Sequence, residues 1–213
     1  MTSAPRAVAL SAVDDGLRGA LAGALGALGL ASVDGDGDPV DATVAVGPPD
    51  AVADALRAAR GFRLAVWTDG AGAAPEGGAA LACGDPWGRG LLGRFRGVLA
   101  ALRPGGDPAV AATARTLAPL DVDDLAEAIR RALRFGATGV YPIDGGERAP
   151  AAEWAARAAP VLRAFGLPTR VVPPATACAP SVAPDVGRAT REWDFRPRRT
   201  FEGTLAALLR ARL

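Results

Sequence analysis

The 213-residue chain contains no histidine, lysine, asparagine or glutamine, so all 24 of its basic residues are arginine. Each absence removes chemistry. Without histidine there is no Ser-His-Asp or Cys-His nucleophile and no imidazole-ligated metal site. Without lysine there is no Schiff base and no P-loop lysine. Catalysis is left to Asp, Glu, the single Tyr141, hydroxyls, arginine and two cysteines. Cys83 and Cys178 cannot make a disulfide framework, and reduced thiols in a cytoplasmic protein are the expectation. No secretory h-region precedes Asp14-Asp15, and the uncharged stretch at residues 19–33 falls short of the ~18–20 apolar residues a membrane span requires, so no membrane contact is expected. With 24 basic against 23 acidic residues the formal charge is +1, which gives no field to attract nucleic acid.

Half of the residues are hydrophobic, enough for one domain with a full core. The apolar run at residues 7–12 suits a buried parallel strand. A helix follows from Leu17, with Leu17, Leu21, Leu25 and Leu28 on one face and Gly19, Gly23, Gly26 and Gly29 as a small-residue stripe suited to close packing. Further strands are predicted at residues 31–33, 42–46, 64–68, 79–83, 140–143 and 171–172. Further helices are predicted at 49–60, 90–102, 151–165 and 200–213, the last capped by Thr200 and burying Phe201, Leu205, Leu208 and Leu209. GDPWGRG reads as a tight loop, residues 107–119 as irregular or strand-like, and Asp124 with Glu127 as the capping box of a helix to about Arg134. Alternation of strand and helix predicts an α/β protein with a Rossmann-like, mostly parallel sheet flanked by helices. Asp34, Asp36 and Asp38 have calcium-loop spacing, but Pro39 replaces the required glycine and Ala45 the glutamate, so no metal is expected.

Three segments in order, LACGDPWGRGLLGRF, PLDVDDLAEAI and GVYPIDGGE, with a late REWDFRPRRTFEGTLAALL, resemble the C-terminal half of an extended short-chain dehydrogenase/reductase, the sugar-nucleotide epimerase, dehydratase and reductase group. The resemblance covers residues 79–213. It implies a single domain over 1–213, in which residues 1 to about 135 form a shortened nucleotide-binding core and about 136–213 supply a small C-terminal α/β substrate lobe. Working backward, LSAVDDGLRGAL is similar to the family's glycine-rich TGATGFLGRAL, with Ala12, Asp15 and Arg18 at the three glycine positions. Asp15 brings a charge and a Cβ to the place where a backbone N–H meets a phosphate oxygen. Asp34 falls where the family's ribose-binding acid follows the second strand, a remnant of a cofactor site. RLAVWTDGAG resembles the strand that ends in the family's serine or threonine, with Thr68 at the hydroxyl position. Only residues 69–78 separate it from the next matching segment, so the Tyr-x-x-x-Lys helix of the family is missing.

These losses imply a chain without a nicotinamide cofactor: a catalytically inactive scaffold acting as a binding, regulatory or partner subunit. A self-dimer or a heteromer with an intact relative would cover the trimmed sheet. The alternatives are a cofactor-independent isomerase, cyclase or lyase that reuses the pocket, and weak NAD(P) binding with residual reduction. Open α/β sheets bind ligands beyond the carboxyl ends of their strands. The catalytic candidates there are Asp69, Asp85 and Arg89, with Asp85 as acid or base oriented by Arg89, and Thr68 and Trp87 lining a pocket for a small-molecule ligand. Arg196, Arg198 and Arg199 form a basic cluster, while Trp154, Trp193 and Cys83 suit the core.

Overall fold

The computed structural model describes residues 7–12, 14–33, 41–57, 59, 61–68, 72–89, 91–107, 109, 116–170 and 187–211. Along the chain come β1 (Ala7–Ala12), α1 (Asp15–Ala27), β2 (Ala31–Val33), β3 (Ala42–Gly47), α2 (Pro49–Arg57) and β4 (Phe62–Trp67). There follow β5 (Ala79–Cys83), β6 (Asp85–Trp87), α3 (Phe95–Ala101), β7 (Thr116–Leu117), β8 (Pro119–Asp121) and α4 (Val122–Phe135). The last elements are β9 (Gly139–Ile143), β10 (Ala149–Pro150), α5 (Ala151–Ala164), α6 (Gly187–Trp193) and α7 (Phe201–Arg210).

Six strands make one sheet in the order β2-β1-β3-β4-β5-β9, every neighbouring pair parallel. Side chains alternate between its two faces. Val44, Val46, Leu64, Val66 and Leu81 point toward α1 and α4, where Leu21, Leu25, Leu125 and Ile129 are fully buried. Ala45, Ala65, Trp67 and Ala80 point the other way, toward Val52 and Leu56 of α2. Burial on both faces is why these strands read as unbroken apolar runs. The chain goes from β1 outward to β2, then returns to β3 on the other side of β1, and this reversal opens a crevice at the carboxyl ends of β1 and β3.

A smaller lobe stands beyond the carboxyl end of β5. There β6 pairs with β8 in parallel and β7 with β10 antiparallel, under α3, α5 and α7. Its core is aromatic: Phe201 stacks on Trp87 at 4.7 Å and meets Trp154 at 4.9 Å, and Phe95 lies 5.0 Å from Trp87. Trp154 Nε1 donates to the carbonyls of Leu117 and Ala149, each at 3.1 Å, which locks α5 onto the β7–β10 pair.

Several local expectations need correction. Helix α1 begins at Asp15 because Asp14 caps it, accepting from the Leu17 amide at 2.8 Å. Its glycine stripe does not pack closely: a Cβ at Gly19, Gly23 or Gly26 would meet nothing, and Ala20 and Ala24 are the small buried residues. Leu28 lies past the helix end and is exposed. α2 stops at Arg57, GDPWGRG contains strand β6, and α6 has no predicted counterpart. Asp121, not Asp124, is the N-cap of α4, accepting from the Asp123 amide at 2.8 Å. Thr200 caps α7 as expected, but Leu208 and Leu209 are only half-buried. The strand predicted at residues 171–172, the turn from Asp34 to Asp38 and Cys178 lie outside the described residues.

Candidate functional site

At the switch-point crevice, the first turn is closed by its own acid. The Asp14 carboxylate sits over the start of α1, where a Cβ at Gly16 would approach its Oδ1 to 3.0 Å. Amides at a helix N-terminus attract anions, and here a carboxylate of the chain already accepts from one of them. Asp14 and Asp15 are exposed beside that turn. Leu91, from the loop before α3, lies 3.9 Å from the same Gly16 position.

The end of β5 is built differently. The Gly84 amide donates to Ile143 at 2.8 Å and the Asp85 amide to Ala118 at 2.7 Å, so β5 is tied to β9 and to the start of β8 at one step. Only glycine allows that approach, since a Cβ at Gly84 would lie 2.2 Å from the Ala118 carbonyl oxygen. Asp85 is buried, with Oδ1 2.7 Å from Arg94 Nη1 and Oδ2 accepting from the Ala118 amide at 2.8 Å. Arg89 does not orient it. That residue is exposed and lies 3.6 Å from Asp123. Thr68 is half-buried at the end of β4, its amide donating to Gly47 at 3.1 Å. Asp34 and Asp69 lie outside the described residues.

Trp87 lines a small cavity of about 110 Å³ together with Trp154, Asp121, Arg198 and Arg199. Asp121 and its neighbours act here as fasteners. Asp121 accepts from the Thr204 hydroxyl, and Asp124 accepts from the amides of Arg198 and Arg199 at 3.1 and 3.0 Å. The Arg199 guanidinium reaches Asp123 at 2.7 Å, and Arg196 lies 3.6 Å from Asp194. The basic cluster is thus partly neutralised by its own carboxylates. Burial pushes the Asp124 carboxyl above its ordinary value, although both amides oppose the shift.

The single phenol is sequestered. Tyr141 is buried on β9, its ring 4.0 Å from that of Trp193 and 4.0 Å from the Arg188 guanidinium carbon. Its hydroxyl donates to Glu192 at 2.6 Å and accepts from Arg188 at 3.2 Å. Burial first, and the Glu192 carboxylate second, raise its pKa. The Cys83 thiol donates to the Trp67 carbonyl at 3.0 Å, and burial pushes its pKa up to about 12, which suppresses the nucleophilic thiolate.

Among the described residues, no three His, Cys, Asp or Glu side chains are grouped to hold a metal ion, and no helix is long and apolar enough to cross a membrane. Sequence reasoning missed Arg94 and the fastening role of Asp121. The Asp85–Arg94 pair spans a turn with no fixed period, whereas the Asp121 cap could have been read from its place at the end of an apolar segment.

No protein-family model and no curated protein sequence matches the chain. Three-dimensional comparison does find similar structures. RMD from Pseudomonas aeruginosa, solved with NADPH, is 14% identical with a TM-score of 0.64, the match covering 98% of this chain and 100% of that one. WbmG from Bordetella bronchiseptica, solved with NAD and UDP, is 15% identical with a TM-score of 0.62, over 99% and 95% of the two chains. The UDP-N-acetylglucosamine 4-epimerase of Bacillus cereus is 12% identical with a TM-score of 0.59, over 97% and 98%. The expectation of no cofactor is corrected by these structures, because the same architecture carries NADPH in RMD and NAD in WbmG. Altered residues at one turn do not remove the crevice that the strand order creates. At this level of identity the similarity speaks for architecture: the protein has the Rossmann-like fold of the NAD-binding extended short-chain dehydrogenases/reductases.

Proposed function

We propose that the protein is a catalytically inactive member of this fold that serves as a binding or regulatory subunit. The observation that carries this reading is the state of Tyr141. Hydride transfer to a carbonyl needs a proton donor within hydrogen-bond reach of the carbonyl oxygen, with a pKa suited to the task. The only phenol in the chain is buried against Trp193, bonded to Glu192, and shifted away from ionisation. No lysine exists to lower its pKa. Both oxygens of Asp85, which follows β5, are held by Arg94 and the Ala118 amide.

A nicotinamide nucleotide of the kind held by RMD and WbmG would lie across the β1/β3 crevice. At that crevice the Asp14 carboxylate accepts from the Leu17 amide, and Asp15 adds a second exposed charge beside it. The crevice set by the strand order is retained while the turn beside it carries acids instead of glycines.

The test mixes the full chain with NADH or NADPH and a panel of nucleoside-diphosphate sugars, and follows nicotinamide absorbance. No oxidation above buffer background is expected. Turnover abolished by Tyr141→Phe in a folded variant would overturn the reading. Native mass spectrometry of the protein taken from its own host supplies a second arm: a stoichiometric companion chain or bound small molecule is expected, and a bare monomer counts against a binding role.

A further inference from the structure

The lobe also holds a groove of about 600 Å³ that is lined by none of the strand-end residues discussed above. Leu99 from the α3 side, Leu162 of α5, and Leu205, Leu208 and Leu209 of α7 form its apolar wall. Leu208 and Leu209 continue the buried stripe of α7 beyond the point where the lobe covers it, so the helix presents apolar surface that its own fold leaves half-exposed. Small-molecule sites commonly enclose roughly 300–1,000 Å³ with mostly apolar walls and a few placed polar groups. The charged groups here are of one sign. Arg96 and Arg103 line the groove and are exposed, while no Asp or Glu among the described residues lines it.

Neighbouring arginines of the lobe do hold carboxylates. Arg94, two residues before Arg96, holds Asp85, and Arg157 of α5 holds Glu202. Arg96 and Arg103 have no carboxylate within ion-pair distance among the described residues. The end of the groove is also fixed: the Arg170 amide donates to Leu102 at 2.9 Å and its guanidinium to Gly106 at 2.7 Å, fastening the segment after α5 to the turn after α3.

We propose that this groove binds a long-chain carboxylic acid, its hydrocarbon tail along the leucines and its carboxylate against Arg96 and Arg103. Charge complementarity selects this occupant. A second copy of the chain, meeting it face to face, would bring the same arginines together.

The test is calorimetric titration of the full chain with decanoate, laurate and myristate below their micellar concentrations, with dodecyltrimethylammonium as the cationic counterpart. Affinity is expected to rise about fourfold per added methylene until the groove is full. Arg96→Glu with Arg103→Glu should weaken laurate about tenfold or more, with unfolding temperature unchanged because both side chains are exposed. Leu208→Asp should weaken laurate and shorten the chain-length series. The proposal is overturned if laurate fails to bind up to its solubility limit, or if the cationic amphiphile binds equally well. It is also overturned if the double charge reversal leaves laurate affinity unchanged. Self-association in sedimentation that Leu208→Asp dissolves and laurate does not compete with would assign the face to a second copy instead.

Discussion

The sheet and the lobe are held together by different chemistry. Leucine, valine and alanine fill the sheet between α1 and α4, whereas four aromatic rings, Trp87, Phe95, Trp154 and Phe201, carry the core of the lobe. An aliphatic core spreads its stabilisation over many small contacts, while an aromatic cluster concentrates it in a few large ones. The two regions also differ at the turns that end β1 and β5. The turn after β1 ends in exposed carboxylates that close it, and the turn after β5 ends in a buried carboxylate that joins both regions through Arg94 and Ala118. The turn after β1 is thus an exposed, charged corner, and the turn after β5 a buried joint between the two regions.

The largest effect is expected in the lobe. Trp154→Ala should cost about 3–5 kcal/mol in urea unfolding, since it removes a fully buried ring and its two hydrogen bonds. If tryptophan fluorescence and far-ultraviolet dichroism lose their signals together, sheet and lobe form one cooperative unit; separate transitions would break the comparison into two independent bodies. In the sheet, Leu125→Ala should cost about 2–5 kcal/mol by leaving a cavity among α1, α4 and the strands. At the junction, Asp85→Ala should cost about 1–3 kcal/mol, chiefly by leaving the Ala118 amide without its acceptor. An unchanged urea midpoint would show that the joint carries no stability.

Two smaller effects concern charge. Asp124 has a raised pKa in the folded state, so the stability it contributes is complete below the ordinary aspartate value and is lost as pH rises through its folded value. Asp124→Asn removes that loss and keeps an oxygen for the Arg198 and Arg199 amides. Relative to the parent, the variant should gain in urea midpoint between about pH 3 and about pH 7. Glu202 has the opposite sign: Arg157 holds its carboxyl low, so its contribution exists above the ordinary glutamate value and fades as pH falls through the folded one. Its side chain is over a third exposed, and Glu202→Gln should cost no more than about 0.5 kcal/mol at neutral pH after solvent screening.

Much of the sheet was legible because its strands are short apolar runs separated by helices with a leucine face, as in β1, α1 and β3. The α1 glycines misled because a small-residue stripe has the same pattern whether it faces a neighbour or open space. At α4, a capping box at Asp124 and a simple cap at Asp121 compete within four residues, and the choice fell to the Arg198 and Arg199 amides, which claim Asp124 from 74 and 75 residues away. Among site candidates, Trp87 could be placed near a cavity by its position after β5, but its pairing with Phe201 could not be read. Arg89 and Arg94 flank the same turn, and nothing in the order of residues says which of the two folds back onto Asp85.

The sequence by itself determined the alternation of strands and helices, the exclusion of imidazole and amine chemistry, and the shortened connection between β4 and β5. These depend on residue type and local period, which a chain carries without folding. Only the tertiary structure decided which carboxylates are fasteners, where Tyr141 is enclosed, and that Leu208 and Leu209 line a groove with exposed Arg96 and Arg103. Those outcomes depend on which distant groups reach hydrogen-bond or van der Waals distance, and that is fixed by how whole elements pack.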